Sequence, residues 1–553
     1  MSLDAARAWA AADPDPATRA ELEATIAAAE AGDAEAQAEV ADAFRGPLQF
    51  GTAGLRGRLG PGPGRMNSVV VQQASAGLAR FLVDREPYPS IVIGWDARRD
   101  SERFARAAAE VFAGAGVRAI LLPRLMPTPV AAFAVRHLGA SAGVMITASH
   151  NPPADNGFKV YLGGGDEGSQ IAPPVDLEVA ARIAEAALVP VAQYPRGEPE
   201  VAGEGVWEAY VAVTAAIGQP DQGMPGATGP RVVYTPLHGV GLETVRAVLE
   251  EAGFPPVIAV PEQAEPDGAF PTVDLPNPEE PGALDLAMAL ASEEGAELIL
   301  ANDPDADRLA VAVPDASALH GWRMLTGNEV GLLLGWDAAR SARGRGVLAA
   351  SIVSSPGLGA IAAAHGLGFA QTLTGFKWVS RVPGLVFGFE EALGYLVNPG
   401  TVRDKDGISA LVRVLTLASE LHERGSSLTQ ELLALAGEFG AFESGQVSLR
   451  VTDLDRIPAL MAALRAAPPT ELAGASVIAA DDLALPEHGE LGDILRFALD
   501  DGSRVMVRPS GTEPKLKVYI DTMSSEGPPA ARVRAARVRV AELAAAVRPL
   551  LEI

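Results

Sequence analysis

Ala142-Gly-Val-Met-Ile146-Thr147-Ala148-Ser149-His150-Asn151-Pro152 starts as five small or apolar residues and then turns polar at once. Such a run, closed by a Pro-containing turn, predicts a short strand buried on both faces. Upstream, Ser90-Ile-Val-Ile-Gly94 predicts another strand. A helix is predicted from Ser101, as its cap, to about Ala113, stopped by Gly114 and Gly116. Residues 117–122 then read as a strand, and a helix follows Pro129. Strand and helix in alternation predict a sheet with helices on its faces. Ser149 falls just past a strand end, where open α/β sheets place their ligands.

The pattern restarts twice. After a Pro/Gly-rich linker at 219–230 come strands at 231–234 and 257–260, helices at 242–252 and 284–291, and strands at 297–301 and 309–313. A third α/β unit has strands at 346–353 and 385–389, a helix after Pro356 and another at 408–421. The last part differs: an Asp501-Gly502 turn between two apolar runs predicts a hairpin, and an Arg/Ala-rich helix closes the chain. Before all of this, two Ala/Glu-rich helical patterns flank Asp13-Pro-Asp-Pro16. Four domains are expected, at 1–218, 230–322, 323–440 and 441–553.

Composition narrows the function. The chain has 553 residues, 48% of them hydrophobic, with 44 basic and 70 acidic side chains and a formal net charge of −26. That balance argues against a nucleic-acid partner, which needs a basic footprint. With no cysteine, disulfides, zinc-thiolate sites and thiol nucleophiles are excluded. No basic leader precedes an apolar run, and no apolar stretch nears the ~20 residues of a membrane span. A cytoplasmic protein is expected.

Between two predicted strands lies Asp303-Pro304-Asp305-Ala306-Asp307-Arg308. In an extended loop, carboxylates at i, i+2 and i+4 point three hard oxygens to one side, suiting Mg²⁺ or Ca²⁺. A calcium loop is excluded, because Arg308 stands where Gly is needed and Pro314 where a bidentate Glu is needed. The bland alternative is a solvated acidic turn. Were Ser149 to carry a phosphate of about −1.5 to −2, it and three carboxylates against one divalent cation would leave about three negative charges. Basic groups must therefore sit close by, and Arg308 and Lys159 are the candidates. His150 is neither an obvious base nor a ligand by spacing, and for His238 packing weighs as much as a site role.

Arg508-Pro-Ser510-Gly511-Thr512-Glu-Pro-Lys515 combines an Arg, two hydroxyls and Gly-permitted amides, a set that suits a phosphate dianion. Phe50-Gly-Thr-Ala-Gly-Leu-Arg56-Gly57 is a second Gly-rich loop with a cation, and neither ends in a Walker-type Gly-Lys-Ser/Thr. Thr374-Gly375-Phe-Lys377 and Glu390-Glu391-Ala392 offer contacts for sugar hydroxyls. As a glycosidase pair Glu390 and Glu391 fail, since consecutive side chains diverge.

Together, over about 44–519, these segments resemble the α-D-phosphohexomutase superfamily, closest to its phosphoglucomutase/phosphopentomutase branch. The resemblance implies three related mixed α/β domains and a smaller C-terminal α+β domain, TATA-binding-protein-like, around a central cleft. It implies a monomeric or dimeric phosphosugar mutase acting on a small sugar phosphate, with glucose 1-phosphate and glucose 6-phosphate expected first. Pentose or mannose phosphates, or glucose-1,6-bisphosphate synthesis, are the alternatives. Ser149 would carry the phosphoryl group, and Mg²⁺ would be held by Ser149, Asp303, Asp305 and Asp307. Glucose 1,6-bisphosphate or its equivalent would act as activator. Arg56, Lys159 and Lys377 would handle protons or balance charge. Substrate would be bound by His150, Arg308, Thr374, Gly375, Glu390 and Ala392, and by Arg508, Ser510, Gly511, Thr512 and Lys515. Two departures stand out: Pro304 replaces the usual Gly of the metal loop, and Ala392 stands where many hexose mutases carry a Ser. A phosphatase and a non-catalytic homologue are remoter readings.

Overall fold

The computed structural model describes residues 3–51, 54–218, 229–451, 455–485, 492–509 and 515–551. The chain divides into two compact units, Met1–Met324 with Gly394–Ser419, and Leu325–Leu393 with Glu420–Ile553. Most of the linker predicted at 219–230 lies outside the described residues.

In the first unit, Ser90–Trp95 pairs in parallel with Arg118–Leu121 and Ala142–Ile146, all five residues of the last being buried. Helices Ser101–Gly114 and Thr128–His137 pack on these strands, which is why the strands read as continuous apolar runs. The sheet then turns antiparallel. Ala142–Ile146 pairs with Asp155–Leu162, and that strand with Leu55–Arg58. The sequence reading missed both of these strands, because Asp155–Leu162 opens on the turn-like Asp-Asn-Gly. Gly54 enters this edge at φ 103°, where a Cβ would lie 1.8 Å from the Phe158 carbonyl oxygen.

The second sheet of this unit runs Trp322–Met324, Leu309–Pro314, Leu298–Asn302, Val232–Thr235 and Ile258–Ala259. Leu298–Asn302 and Leu309–Pro314 are antiparallel neighbours in register Asn302 to Leu309, so the carboxylate loop closes a hairpin.

In the second unit, Gly368–Thr372, Val347–Ser351 and Leu385–Glu390 run parallel. A six-stranded antiparallel sheet follows, with helices Arg456–Ala466 and Pro529–Val547 supplying apolar residues to its core. It contains the predicted hairpin, Leu495–Leu499 against Arg504–Pro509.

Two local expectations are corrected. The N-terminal region has three helices, Leu3–Ala12, Pro16–Glu30 and Ala34–Ala43. The break comes at Gly32, with φ 94°, and at Asp33, whose carboxylate accepts from the Glu35 and Ala36 amides. The helix at Ser101 is capped in position by Asp100, while the Ser101 hydroxyl donates instead to Asp96 at 2.7 Å.

Candidate active site

Ser149 is buried and adopts φ 52°, the left-handed region that costs a non-glycine residue about 1–2 kcal/mol. Its surroundings hold it there. The Ser149 amide donates to Thr147 Oγ1 at 2.8 Å. The fully buried Arg98 guanidinium donates to the carbonyls of Ser149 at 2.6 Å, Asn151 at 2.5 Å, Pro152 at 2.8 Å and Asp155 at 3.1 Å. Arg56, on the edge strand, donates to Asn151 Oδ1 at 3.0 Å. The turn thus presents the Ser149 hydroxyl outward, and it donates to Asp303 Oδ2 at 2.7 Å.

The three aspartates are buried, and their ligand oxygens lie within 4.8 Å of one another. They converge for a reason other than the expected one. The segment coils instead of extending: the Ala306 amide donates to the Asp303 carbonyl at 2.8 Å, and Ala306 takes φ 56°. Asn302 closes the coil by donating to the Arg308 carbonyl at 2.6 Å, itself braced by the Tyr234 hydroxyl at 2.8 Å. Gly407 is required beside it, since a Cβ there would lie 2.2 Å from the Arg308 carbonyl oxygen. Thr128 grips Asp305 twice, by amide to carbonyl at 2.9 Å and by hydroxyl to Oδ2 at 2.7 Å.

Lys159 reaches Asp305 and Asp307, each at 2.7 Å. Lys405 reaches Asp307 at 3.0 Å, and Arg308 lies 3.9 Å from Asp303 and 3.8 Å from Asp307. Three cations thus meet the deficit of about three charges that the sequence required. The sequence reading missed Lys405; its signal was a Lys between two carboxylates, Asp404-Lys405-Asp406, just before a helix. Arg98 and Thr128 were missed too, because they act on the serine turn and the metal loop from elsewhere in the chain.

Burial, and then the charges of Asp305 and Asp307, push the Asp303 carboxyl up to about 8. Burial works the same way on Asp307, but Lys159, Lys405 and Arg308 outweigh it and hold that carboxyl well below the usual range. Burial disfavours the Lys159 ammonium, yet Asp305 and Asp307 keep its pKa raised. The half-buried His150 ring, with Nδ1 3.3 Å from Ser149 Oγ, is pushed well below its ordinary value by burial and then by Arg308 and Arg56. Its imidazole is neutral at pH 7.

The cluster suits a hard divalent ion. Asp305 Oδ1 and Asp307 Oδ1 are buried and have no hydrogen-bond partner among the described residues, so each keeps a lone pair for a cation. The donors are all carboxylate or hydroxyl oxygens, the choice of Mg²⁺ over soft metals.

Ser149, His150, Arg56, Lys159, Arg308 and the aspartates therefore form one constellation. Thr374, Gly375, Lys377, Glu390, Ala392, Arg508 and Lys515 belong to the second unit. There the Gly375 amide donates to Glu390 Oε1 at 2.7 Å, while Glu391 turns away to Ser351 and Ser354, the divergence expected. Lys377 is buried with its ammonium 5.3 Å from the Trp378 ring. Ser510, Gly511 and Thr512, like Thr52 and Ala53 of the first Gly-rich loop, lie outside the described residues. His238 is buried and bonded to Thr272 Oγ1 at 2.8 Å, in a packing position.

A buried serine facing a carboxylate triplet at the end of an α/β sheet is an arrangement that suits phosphoryl transfer. The sequence matches all four parts of one family: phosphoglucomutase/phosphomannomutase alpha/beta/alpha domain I over residues 47–189, domain II over 209–316, domain III over 326–436 and the C-terminal domain over 447–543. The chain belongs to the phosphoglucomutase/phosphomannomutase family of the α-D-phosphohexomutase superfamily, and it is a phosphosugar mutase. It is 50% identical to a probable phosphomannomutase of Haemophilus influenzae, over 85% of this chain and 96% of that one. It is 36% identical to human phosphopentomutase, over 88% and 87% of the two chains, and 34% identical to a Staphylococcus aureus phosphoglucomutase, over 87% and 91%. The crystal structure of a putative phosphomannomutase from Thermus thermophilus superposes with a TM-score of 0.70 at 26% identity, over 92% of this chain and 99% of that one. Among the described residues no helix is long and apolar enough to cross a membrane.

Proposed function

We propose that the chain interconverts the 1-phosphate and the terminal phosphate of a sugar, with Ser149 as the phosphoryl carrier and mannose phosphates as the leading substrates. The observation that carries the chemistry is the 2.7 Å contact of the Ser149 hydroxyl with a buried aspartate triplet. For the sugar, support comes from the 50% identical relative described as a probable phosphomannomutase. The glucose preference expected from the sequence has the weaker support. A pentose preference is the second reading, favoured by the phosphopentomutase relatives and by Ala392, which offers the ring no hydroxyl.

In this reading the Ser149 Oγ–P bond breaks as a sugar hydroxyl oxygen bonds to phosphorus, giving a bisphosphorylated sugar. The other phosphate then returns to Ser149. A sugar bisphosphate such as glucose 1,6-bisphosphate primes the serine. Asp303, Asp305 and Asp307 would hold Mg²⁺, which when bound neutralises phosphoryl oxygens as a Lewis acid. Lys159, Lys405 and Arg308 balance the carboxylates, and Arg56 stabilises the serine turn. Lys159, paired with two carboxylates, and Arg56, a guanidinium, are both poor proton acceptors. His150, 3.3 Å from Ser149 Oγ, is a weak base too, since burial, Arg308 and Arg56 disfavour its protonated form, so Lys377 keeps the proton-handling role in our reading. Glu390 with the Thr374–Gly375 turn holds the ring, and the Arg508 to Lys515 loop grips the non-reacting phosphate. Positioning and charge neutralisation supply most of the rate.

The four boundaries at 1–218, 230–322, 323–440 and 441–553, the TATA-binding-protein-like kinship of the last domain, a monomeric or dimeric state and a cytoplasmic location belong to the same proposal. Its test is a coupled assay of mannose, glucose, ribose and deoxyribose 1-phosphates with Mg²⁺ and a trace of bisphosphate. Mannose 1-phosphate should give the highest kcat/KM. A higher value for a pentose would move the substrate and leave the chemistry, whereas net release of inorganic phosphate would make the protein a phosphatase.

A further inference from the structure

Glu391 follows the proposed ring-binding Glu390 but is fastened on three sides. Its Oε2 lies 3.2 Å from the Ser351 hydroxyl and 3.0 Å from the Ser354 hydroxyl, and these hydroxyls are 2.8 Å apart, so their two protons are shared among the three oxygens. Its amide donates back to Ser354 Oγ at 3.0 Å. Its carbonyl oxygen lies where a Cβ on Gly327 would come within 1.9 Å, so the start of helix Gly327–Ala342 presses directly on it.

Ser354 continues the chain of contacts. Its carbonyl accepts from Arg504 Nη2 at 2.6 Å. Arg504 opens the strand Arg504–Pro509 and is fixed from behind by Asp521, whose Oδ2 accepts from Arg504 Nε at 2.7 Å while Oδ1 accepts from Ser444 at 2.6 Å. Arg504, Met506 and Arg508 lie at i, i+2 and i+4 and so share one face of that strand. Met506 and Tyr519 pack there with Ile352 and Val353, the residues between Ser351 and Ser354. The buried Tyr519 phenol lies in the field of Glu391 and bonds to Arg508. All of these residues belong to the same compact unit.

We propose that Glu391, Ser354 and Arg504 form a strut that fixes the spacing between the ring-binding carboxylate Glu390 and the phosphate-binding Arg508, and so sets which ring size of sugar phosphate the protein accepts. This rests on the mutase reading above. Glu391 is a positioning residue and touches no substrate atom. A hexopyranose 6-phosphate and a pentofuranose 5-phosphate each carry the phosphate on one exocyclic carbon but differ in ring size, so the direction and distance from the ring diol to the phosphate differ, and a rigid gauge is what tells such geometries apart.

The test measures binding and turnover in parallel. In a Ser149→Ala background, calorimetry gives Kd for glucose 6-phosphate, mannose 6-phosphate and ribose 5-phosphate. The discrimination, taken as the larger Kd over the smaller between hexose and pentose phosphates, should fall at least about fivefold on adding Glu391→Ala or Arg504→Met, and should recover in Glu391→Gln, which keeps acceptor and length. Ser354→Ala, the mildest change, should give an intermediate ratio. A purely structural role would lower the melting temperature and weaken every sugar alike. Ratios within twofold of the parent in both Glu391→Ala and Arg504→Met would overturn the strut. In the Ser149 protein, lack of turnover on every sugar would sink the mutase reading, while the binding ratios would still decide the strut.

Discussion

Ser149 donates to Asp303 at 2.7 Å, and Asp303 is the carboxylate of the triplet that neither Lys159 nor Lys405 reaches. The asymmetry explains why burial and two like charges push Asp303 up to about 8 while Asp307 stays ionised. Nearest the serine, the cluster keeps one carboxylate that no lysine meets and that Arg308 approaches to 3.9 Å, which leaves charge for a bound cation to compensate.

A pH dependence follows for metal-free protein. Between the ordinary value of 3.8 and about 8, folded Asp303 keeps a proton that the unfolded chain has released. Stability from this group therefore falls as pH rises across that window. EDTA-treated protein should melt at progressively lower temperature from pH 5 to pH 8, and Asp303→Asn or saturating Mg²⁺ should flatten the slope. An unchanged slope in Asp303→Asn would count against the assignment.

Ser149→Ala should cut turnover by at least about 10³-fold, because the other hydroxyl of the turn, that of Thr147, is held against the residue-149 amide and is not the one that faces Asp303. Mass spectrometry of the parent after incubation with a sugar bisphosphate should find one phosphate on the peptide containing Ser149, and none in the variant. Turnover at the parental rate without that hydroxyl would end the carrier mechanism.

Lys159→Met leaves Asp305 and Asp307 buried without their shared ammonium. The expected cost is about 3–5 kcal/mol, read as a lower denaturant midpoint for the unit that contains the site. Combining it with Asp305→Asn should restore part of the loss, since the two side chains are in direct contact at 2.7 Å. Strictly additive losses would show that the pair is not energetically coupled.

Ala392→Ser offers the ring one more hydroxyl. A net hydrogen bond of about 0.5–1.5 kcal/mol corresponds to roughly a 2–12-fold lower KM for hexose phosphates. Pentose phosphates should change less, and steady-state kinetics on both classes measures the difference.

Much of this was legible in the primary sequence. Ala142–Ile146 shows itself because a strand covered on both sides has to be apolar throughout, and Asp303, Asp305 and Asp307 show themselves because hard-cation chemistry needs that residue type in quantity. Asp155–Leu162 was hidden by its turn-like start and by Lys159, a charge that only its partners make tolerable in a buried position. Lys405 was hidden because it lies 98 residues beyond Asp307, and no local pattern connects the two.

The sequence by itself determined the alternation of elements, the chemical identity of the nucleophile and carboxylates, and the charge deficit they create, since all three depend only on residue type and local spacing. Tertiary structure decided how that deficit is met, through Lys159, Lys405 and Arg308 arriving from separate segments. It also decided that the aspartates converge by coiling and that Arg98 holds the serine turn by four carbonyls. The reason is physical: electrostatic compensation and backbone strain are settled by distances across the fold, and separation along the chain does not encode them.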